Sequence, residues 1–328
     1  MNRRDFLSML AWSAAMPALV RADDEGGWAD QAWHDTARGR DLPVRVRLPS
    51  GERPCGVVVF SHGLGGNRGG GAVWAQAWQA AGLAVVNLQH PGSDSDIWRG
   101  GMATLQRAAG LDQYLARIAD AHFAIDELTR LQRSEPAWRR LRPDAIGFCG
   151  HSFGARLTQV IAGELPSRAR MVEAARQLRD SRPRAFIAFS PGFSAREGMT
   201  DADVAARFGA IERPFLCVTG TRDDAMIVGD ADNATRRAVY RGLPAGHKAE
   251  LVLAGADHMS FAGQAVPINR NALLRREPEA ARLEPGHRRI VAKVTGDWWR
   301  WQLLGDEAAR VRLDAPAGLS ADDSWRQG

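Results

Sequence analysis

The sequence Gly150-His151-Ser152-Phe153-Gly154 directly follows a short apolar run, residues 145–149. A buried strand that enters such a G-x-S-x-G stretch and continues into a helix must turn sharply at the serine. Only residues without a bulky side chain fit on either side of that turn, and Gly150 and Gly154 meet this requirement. The turn projects the Ser152 hydroxyl from the sheet and places the next N–H, that of Phe153, at a helix N-terminus, where negative charge is favoured. The motif therefore predicts a strand, a tight turn and a helix around Ser152.

Apolar runs of strand length alternate with helical patterns along the rest of the chain. Residues 56–60 form a continuous, mostly β-branched run without a polar face, which is typical of a central strand in a parallel sheet. The other predicted strands are residues 44–48, 83–88, 145–149, 185–189, 214–218 and 250–253, and the predicted helices are residues 72–81, 111–133, 155–163 and 287–304. This alternation predicts a doubly wound, mostly parallel α/β sheet with helices on both faces. In such a sheet, ligands bind outside the carboxyl ends of the strands.

The start of the chain has the composition of a targeting segment. Asn2-Arg3-Arg4-Asp5-Phe6-Leu7 is close to a twin-arginine signature, an apolar stretch follows to Val20, and Val20-Arg21-Ala22 supplies small residues for cleavage. We therefore expect a twin-arginine signal peptide over residues 1–22 and a bacterial protein that is periplasmic or secreted. An uncleaved membrane anchor is the alternative, whereas stable membrane insertion is not expected after cleavage. The remainder predicts one domain over residues 23–314 and a polar C-terminal tail over residues 315–328.

Composition excludes some classes of partner. The formal net charge is +5, and removal of residues 1–22, which carry a net +2, leaves +3. No block of basic residues with interleaved aromatics occurs in the sequence, so a nucleic-acid partner is not expected. The three cysteines, Cys55, Cys149 and Cys217, lie in or beside apolar runs without C-x-x-C spacing. We expect buried free thiols rather than disulfides, and neither a metal nor a cofactor.

A serine hydroxyl is a poor nucleophile unless a base lies within hydrogen-bond reach and a carboxylate orients that base. After Ser152 the chain offers His247, His258 and His287. His258 follows a predicted strand directly, whereas His247 precedes the same strand and His287 opens the last predicted helix as a surface or capping residue. We therefore expect His258 to be the general base and then the general acid.

The catalytic acid is also predicted from its position after a strand. Asp223 comes just after the predicted strand 214–218, so it is favoured as the catalytic acid over its neighbour Asp224. Asp230 and Asp232 are more distant alternatives, and Asp257 is interpreted as a residue that only flanks His258.

The negative charge that develops on a carbonyl oxygen needs preorganised donors. We expect these to be the backbone N–H groups of Phe153 and of Leu64, which lies in the glycine-rich loop after residues 56–60, and we expect His62 to hold that loop by hydrogen bonding.

Four short pieces of the chain resemble the α/β-hydrolase superfamily: Phe60-Ser61-His62-Gly63-Leu64-Gly65, Gly150-His151-Ser152-Phe153-Gly154, Gly220-Thr221-Arg222-Asp223 and Asp257-His258. Within the superfamily, the chain is most similar to the dienelactone-hydrolase-like proteins and the plasma-type platelet-activating-factor acetylhydrolases, between Trp33 and Leu304. The resemblance implies Ser152, Asp223 and His258 as the catalytic triad, with Leu64 and Phe153 as oxyanion donors. Dienelactone hydrolases use a cysteine where this chain has Ser152, which disfavours a lactone-specific role.

The stretch between the predicted strands 185–189 and 214–218 is too short for a large lid domain. A short lid suggests an open cleft for small or protruding acyl groups, lined by Phe153, Phe193 and Phe261 unless these belong to the core. The sequence thus predicts a serine esterase that cleaves small-molecule carboxylic esters, with short-chain or acetyl esters favoured. The alternatives are a lipase or polyester hydrolase that acts on a bulk substrate, and a non-catalytic binding protein of the same fold.

Overall fold

The computed structural model describes residues 27–165, 176–224, 231–264, 276 and 278–328, so the expected signal peptide lies outside the described residues. The strands of the described part are β1 (Ala29–Asp35), β2 (Arg40–Arg47), β3 (Cys55–Ser61), β4 (Ala84–Leu88), β5 (Leu141–His151), β6 (Pro183–Phe189), β7 (Phe215–Arg222), β8 (Lys248–Asp257) and β9 (Ser324–Gln327). The α-helices are α1 (Ala72–Ala80), α2 (Gly101–Ala108), α3 (Leu111–Ser134), α4 (Phe153–Ala162), α5 (Asp201–Phe208), α6 (Asn233–Gly242), α7 (Pro278–Leu304) and α8 (Glu307–Asp314).

The described strands form one sheet in the order β1-β2-β4-β3-β5-β6-β7-β8-β9. The six strands from β4 to β8 in this order pair in parallel, whereas β1, β2 and β9 pair antiparallel at the two edges. Every residue of β3 is buried, as its continuous apolar sequence predicts for a strand covered on both faces. The predicted doubly wound, mostly parallel sheet is therefore confirmed.

Two apolar cores lie on opposite faces of this sheet. One core joins the sheet to α3, α4, α5 and α6 through residues such as Ile125, Leu157 and Val239. The other joins it to α1, α7 and α8, and its largest members include Trp78 and Trp299. Trp78 donates a hydrogen bond to the Thr295 hydroxyl (2.9 Å), which ties α1 to α7. The sheet is thus held rigidly between helices, and its carboxyl edge provides a fixed frame for a site.

The C-terminal part of the chain differs from expectation in detail. Helix α7 begins at Pro278, nine residues before the predicted start, so His287 lies inside this helix and is buried rather than at a surface cap. The expected polar tail contributes β9, whose residues pair antiparallel with β8 from Ala249 to Val252. Backbone hydrogen bonds between Gly328 and Lys248 extend this pairing to the last residue of the chain (3.0 and 3.2 Å). A four-residue edge strand with mixed polarity carries too little periodicity to be predicted.

Among the described helices, none is both long enough and apolar enough to cross a bilayer. The three cysteines are buried free thiols, as their apolar surroundings predict.

Candidate active site

Ser152 lies in a strained turn between β5 and α4. Its backbone has φ 56° and ψ −112°, and within the described chain only Ser152 and Ser190 combine a positive φ with a side chain. The turn is fixed by a hydrogen bond from the Ser152 N–H to the Phe189 carbonyl (2.9 Å) at the end of β6. This backbone conformation costs free energy for a residue other than glycine, and it is found repeatedly at functional sites. The turn predicted from the motif is therefore present, and it leaves the Ser152 side chain half-buried.

Gly154 allows α4 to approach β3 closely. A Cβ atom at position 154 would lie 2.1 Å from the Ser61 carbonyl oxygen, a backbone atom that cannot move aside as a side chain can. We expect Gly154→Ala to lower the free energy of unfolding by about 1–3 kcal/mol, as overpacking does elsewhere. Gly286→Ala in α7 is the matched control, because a Cβ there meets nothing within 4 Å, and its stability should stay unchanged or rise. Urea unfolding monitored by circular dichroism measures both, and equal stability of the two variants would contradict the close approach.

The structure brings Ser152, His258 and Asp223 together at the carboxyl ends of β5, β8 and β7. The Ser152 Oγ lies 2.8 Å from His258 Nε2, and His258 Nδ1 lies 2.8 Å from Asp223 Oδ1. A carboxylate can only accept, so this geometry requires the neutral imidazole to carry its proton on Nδ1 and leaves Nε2 free to accept from the serine hydroxyl. The arrangement can therefore take a proton from Ser152.

Asp223 is fully buried, yet it has several polar partners. Thr219 donates to its Oδ2 (2.9 Å), and Arg236 Nε lies 2.8 Å from its Oδ1. Burial raises the pKa of this carboxyl, but the charge of Arg236 and the hydrogen bond from His258 outweigh it and bring the pKa to about 2. Asp223 thus stays ionised at neutral pH.

The alternative residues lie elsewhere. His247 is exposed at the opposite end of β8, before its first residue, and Asp224 is exposed. Asp232 caps α6 by accepting from the Thr235 N–H (2.9 Å), and Asp230 lies outside the described residues. Asp257 caps the 3₁₀ turn that contains His258, so it flanks the site as expected.

The loop after β3 passes beside Ser152. A Cβ at Gly63 would lie 3.4 Å from the Ser152 Cβ, and the N–H groups of Leu64 and Phe153 have no backbone acceptor within the described residues. The Gly63 carbonyl is held from the other side, because it accepts from His62 Nδ1 (2.6 Å) and from the Gly66 N–H (3.0 Å). In a trans peptide the Gly63 carbonyl and the Leu64 N–H point in opposite directions, so holding the first orients the second. His62 therefore holds the loop, as the sequence predicts.

Arg117 supports the loop after β3, and the sequence does not predict this role. It is fully buried in α3, its Nη2 donates to the Gly63 carbonyl (3.5 Å), and its guanidinium lies 4.7 Å from the centre of the Phe153 ring. Since the His90 N–H donates to His62 Nε2 (3.1 Å), the His62 proton sits on Nδ1 and points to Gly63. Burial and the neighbouring charge of Arg117 hold the pKa of His62 well below its usual range, so His62 remains neutral.

A second serine, histidine and aspartate set lies beneath the loop. Ser61 Oγ lies 3.0 Å from His90 Nε2, and His90 Nδ1 lies 3.0 Å from Asp120 Oδ2. All three residues are fully buried, and Asp120 also pairs with Arg38 (2.8 Å) and Arg40 (3.0 Å). Burial lowers the pKa of His90 to about 4. Because no substrate reaches a serine with zero exposure, this set braces the carboxyl ends of β3 and β4.

A small apolar cluster covers the loop from the side of α2. Its buried members are Ile97, Leu105 and Ala108, and Leu64 and Trp98 pack against them. Trp98 donates to the Gly65 carbonyl (2.8 Å), which anchors the cluster to the loop. The sequence did not predict this segment between β4 and α3, because its 3₁₀ turn and its eight-residue helix are short and the helix buries only Leu105 and Ala108.

The three phenylalanines considered as cleft residues divide into two groups. Phe193 and Phe261 are fully buried and belong to the core. Phe153 is half-buried, and its ring lies 5.4 Å from that of Tyr114. Among the described residues, no three histidine, cysteine or carboxylate side chains cluster as metal ligands would.

The parallel sheet, the strained serine turn after β5 and the polar groups at the strand ends define an α/β-hydrolase fold. The solved structures include a similar one, the crystal structure of the 2,6-dihydroxy-pseudo-oxynicotine hydrolase, with a TM-score of 0.50 and 16% sequence identity. The similarity covers 85% of this chain and 69% of that one, and at this identity it shows the fold alone. No protein-family model and no curated protein sequence matches the chain.

Proposed function

We propose that the protein is a serine hydrolase that cleaves carboxylic esters through an acyl-enzyme on Ser152. The observation that supports this most directly is the unbroken chain of hydrogen-bond distances from Ser152 Oγ through His258 to Asp223, each 2.8 Å. A serine, an imidazole and a buried carboxylate in this order are what an activated hydroxyl nucleophile requires.

In the acylation step, Ser152 Oγ attacks the ester carbonyl carbon while its proton passes to His258 Nε2. The carbonyl oxygen becomes negative and is stabilised by the N–H groups of Leu64 and Phe153, with the N-terminus of α4 adding a favourable dipole. When the tetrahedral intermediate collapses, the C–O bond to the alcohol breaks and His258 returns the proton to the leaving oxygen. The alcohol departs, and the acyl group remains on Ser152.

In the deacylation step, a water molecule takes the place of the alcohol. His258 Nε2 accepts a proton from the water as its oxygen attacks the acyl carbon, and the same two N–H groups stabilise the second oxyanion. Collapse breaks the bond to Ser152 Oγ, which recovers its proton from His258. The products are a carboxylic acid and the free enzyme, and the step uses no metal or cofactor.

We propose short acyl chains, acetyl above all, as the substrate class. The segment between β6 and β7 contains only a 3₁₀ turn and the eight-residue α5, which supports a site without a large lid. The signature at residues 2–7 supports export by the twin-arginine pathway and action in the periplasm or outside the cell.

Labelling with a fluorophosphonate and hydrolysis of p-nitrophenyl esters of increasing chain length test this proposal. We expect stoichiometric labelling and a kcat/KM that is highest for acetyl or butyryl esters and falls for long chains. A maximum on long-chain esters above their solubility limit would indicate a lipase or polyester hydrolase. A folded protein that is neither labelled nor active would be a binding protein.

A further inference from the structure

We propose that Arg236 is a positioning residue, whose guanidinium fixes both Asp223 and the backbone after β6 so that His258 stays aligned with Ser152. Arg236 lies in α6, and only 3% of it is exposed. The inference rests on the proposed function, since it assigns the residue a role in the same reaction.

The guanidinium joins two parts of the site. Its Nε lies 2.8 Å from Asp223 Oδ1 and donates to the Asp223 carbonyl (2.5 Å). Its Nη1 donates to the carbonyls of Ser190 (2.9 Å) and Pro191 (3.0 Å). Ser190 is the second strained residue of the described chain, with φ 56°. One side chain therefore links the catalytic acid to the loop that follows β6, and the last residue of that strand, Phe189, holds the Ser152 N–H.

The loop after β6 is held from its other side by the helix that carries the serine. Gln159 of α4 accepts from the Gly192 N–H (2.9 Å) and donates to the Gly192 carbonyl (3.1 Å). The acid, the loop and α4 thus form one connected polar frame, and Arg236 is its charged member. A planar guanidinium suits this place, because it presents donors in several fixed directions and a lysine ammonium does not.

Arg236 also contributes charge. Its Nη2 lies 3.2 Å from His258 Nδ1, but Nδ1 carries the proton that points to Asp223, so Arg236 acts there as a neighbouring cation rather than as a donor. Its loss would leave the burial of Asp223 unopposed by the nearest cation, so the pKa of Asp223 would rise above its value of about 2. Asp223 would then take up a proton at higher pH, and because a protonated carboxyl no longer orients His258, activity would be lost earlier as the pH falls.

The other groups that face His258 do not replace this cation. They are Ser152, His151 and Asp223, together with the Asp257–Arg276 ion pair (2.9 Å) beside the 3₁₀ turn. His151 donates from Nε2 to the His258 carbonyl (2.9 Å), and burial lowers its pKa to about 3, so it stays neutral. Arg276 is engaged by Asp257, which leaves Arg236 as the cation nearest to the Asp223–His258 pair among the described residues.

Arg236→Met and Arg236→Lys test the proposal, with Arg241→Met as a control on the exposed side of the same helix. For p-nitrophenyl acetate we expect Arg236→Met to lower kcat by about 10- to 100-fold with KM little changed, because a misaligned imidazole loses part of its general acid–base contribution. Its acidic limb of kcat/KM should move up by about 1–2 pH units. Arg236→Lys should keep the limb near its original pH, because the charge remains, while kcat stays reduced, because the fork of contacts is lost. Arg241→Met should match the wild-type protein.

A double-mutant cycle separates positioning from general damage. If Arg236 acts through Asp223, Arg236→Met should cost less kcat in an Asp223→Asn background than in the wild type. Additive losses, or a wild-type kcat and acidic limb in Arg236→Met, would overturn the proposal. Should Arg236→Met fail to fold, a wild-type kcat in Arg236→Lys overturns it equally. A wild-type protein that neither hydrolyses esters nor reacts with fluorophosphonate would instead overturn the proposed function, and this inference with it.

Discussion

Ser152→Ala should reduce kcat for p-nitrophenyl acetate by about 10⁶-fold and abolish fluorophosphonate labelling, because Ser152 Oγ, 2.8 Å from His258 Nε2, is the proposed site of the acyl-enzyme. The remaining rate should still exceed that in water, since the N–H groups of Leu64 and Phe153 would be unchanged. The alanine keeps a Cβ at the strained position, so the fold should persist. Stopped-flow and long-incubation assays measure the rate, and intact-mass spectrometry measures the label.

Ser61→Ala is the matched control for this experiment. Ser61 Oγ lies 3.0 Å from His90 Nε2, close to the 2.8 Å between Ser152 Oγ and His258 Nε2, but Ser61 is fully buried. We expect the Ser61→Ala protein to be labelled at Ser152 as the wild type is. Loss of label in Ser61→Ala together with retention in Ser152→Ala would exchange the roles of the two serines and overturn the mechanism.

Asp223→Asn should lower kcat by about 10⁴-fold while leaving the structure in place. The amide can donate a hydrogen bond to His258 Nδ1, which favours the tautomer whose proton lies on Nε2, the wrong nitrogen for accepting from Ser152. Arg236 would then face a neutral group, and the imidazolium formed during the reaction would lose its counter-charge. Steady-state kinetics with p-nitrophenyl acetate, together with thermal unfolding, distinguish a catalytic loss from a folding defect.

Asp224→Asn provides the control beside it. Asp224 is exposed and accepts from the Asn233 N–H (3.2 Å). Its replacement is an ordinary surface substitution, so kcat should change by less than about twofold. If Asp224→Asn were as damaging as Asp223→Asn, the assignment of the acid to Asp223 would be wrong.

The parts of the site that the sequence predicts are those that follow a strand directly. Ser152 and His258 come immediately after β5 and β8, and Asp223 comes immediately after β7. Apolar runs identify buried parallel strands, and the carboxyl ends of such strands meet at one edge, so position alone brings these residues together. The catalytic roles of the three residues and of the two N–H donors stay predictions until the variants are measured.

The supporting residues were not predictable in this way because their burial depends on packing between distant elements. Arg236 and Arg237 are neighbours in α6 with the same residue type, yet the first is buried against Asp223 and the second has a side chain that is 41% exposed. Arg117 and Asp120 likewise lie on an otherwise apolar face of α3. Helical periodicity indicates the face that is covered, but it does not reveal which polar side chains find partners there.

The buried set of Ser61, His90 and Asp120 affects searches that identify active sites from the geometry of a few residues. A three-residue template of interatomic distances would match this molecule twice, once at a serine that a substrate could approach and once at a serine sealed from solvent. The same hydrogen-bonded set is half-buried at Ser152 and sealed from solvent at Ser61, so exposure to water separates a candidate nucleophile from a structural brace.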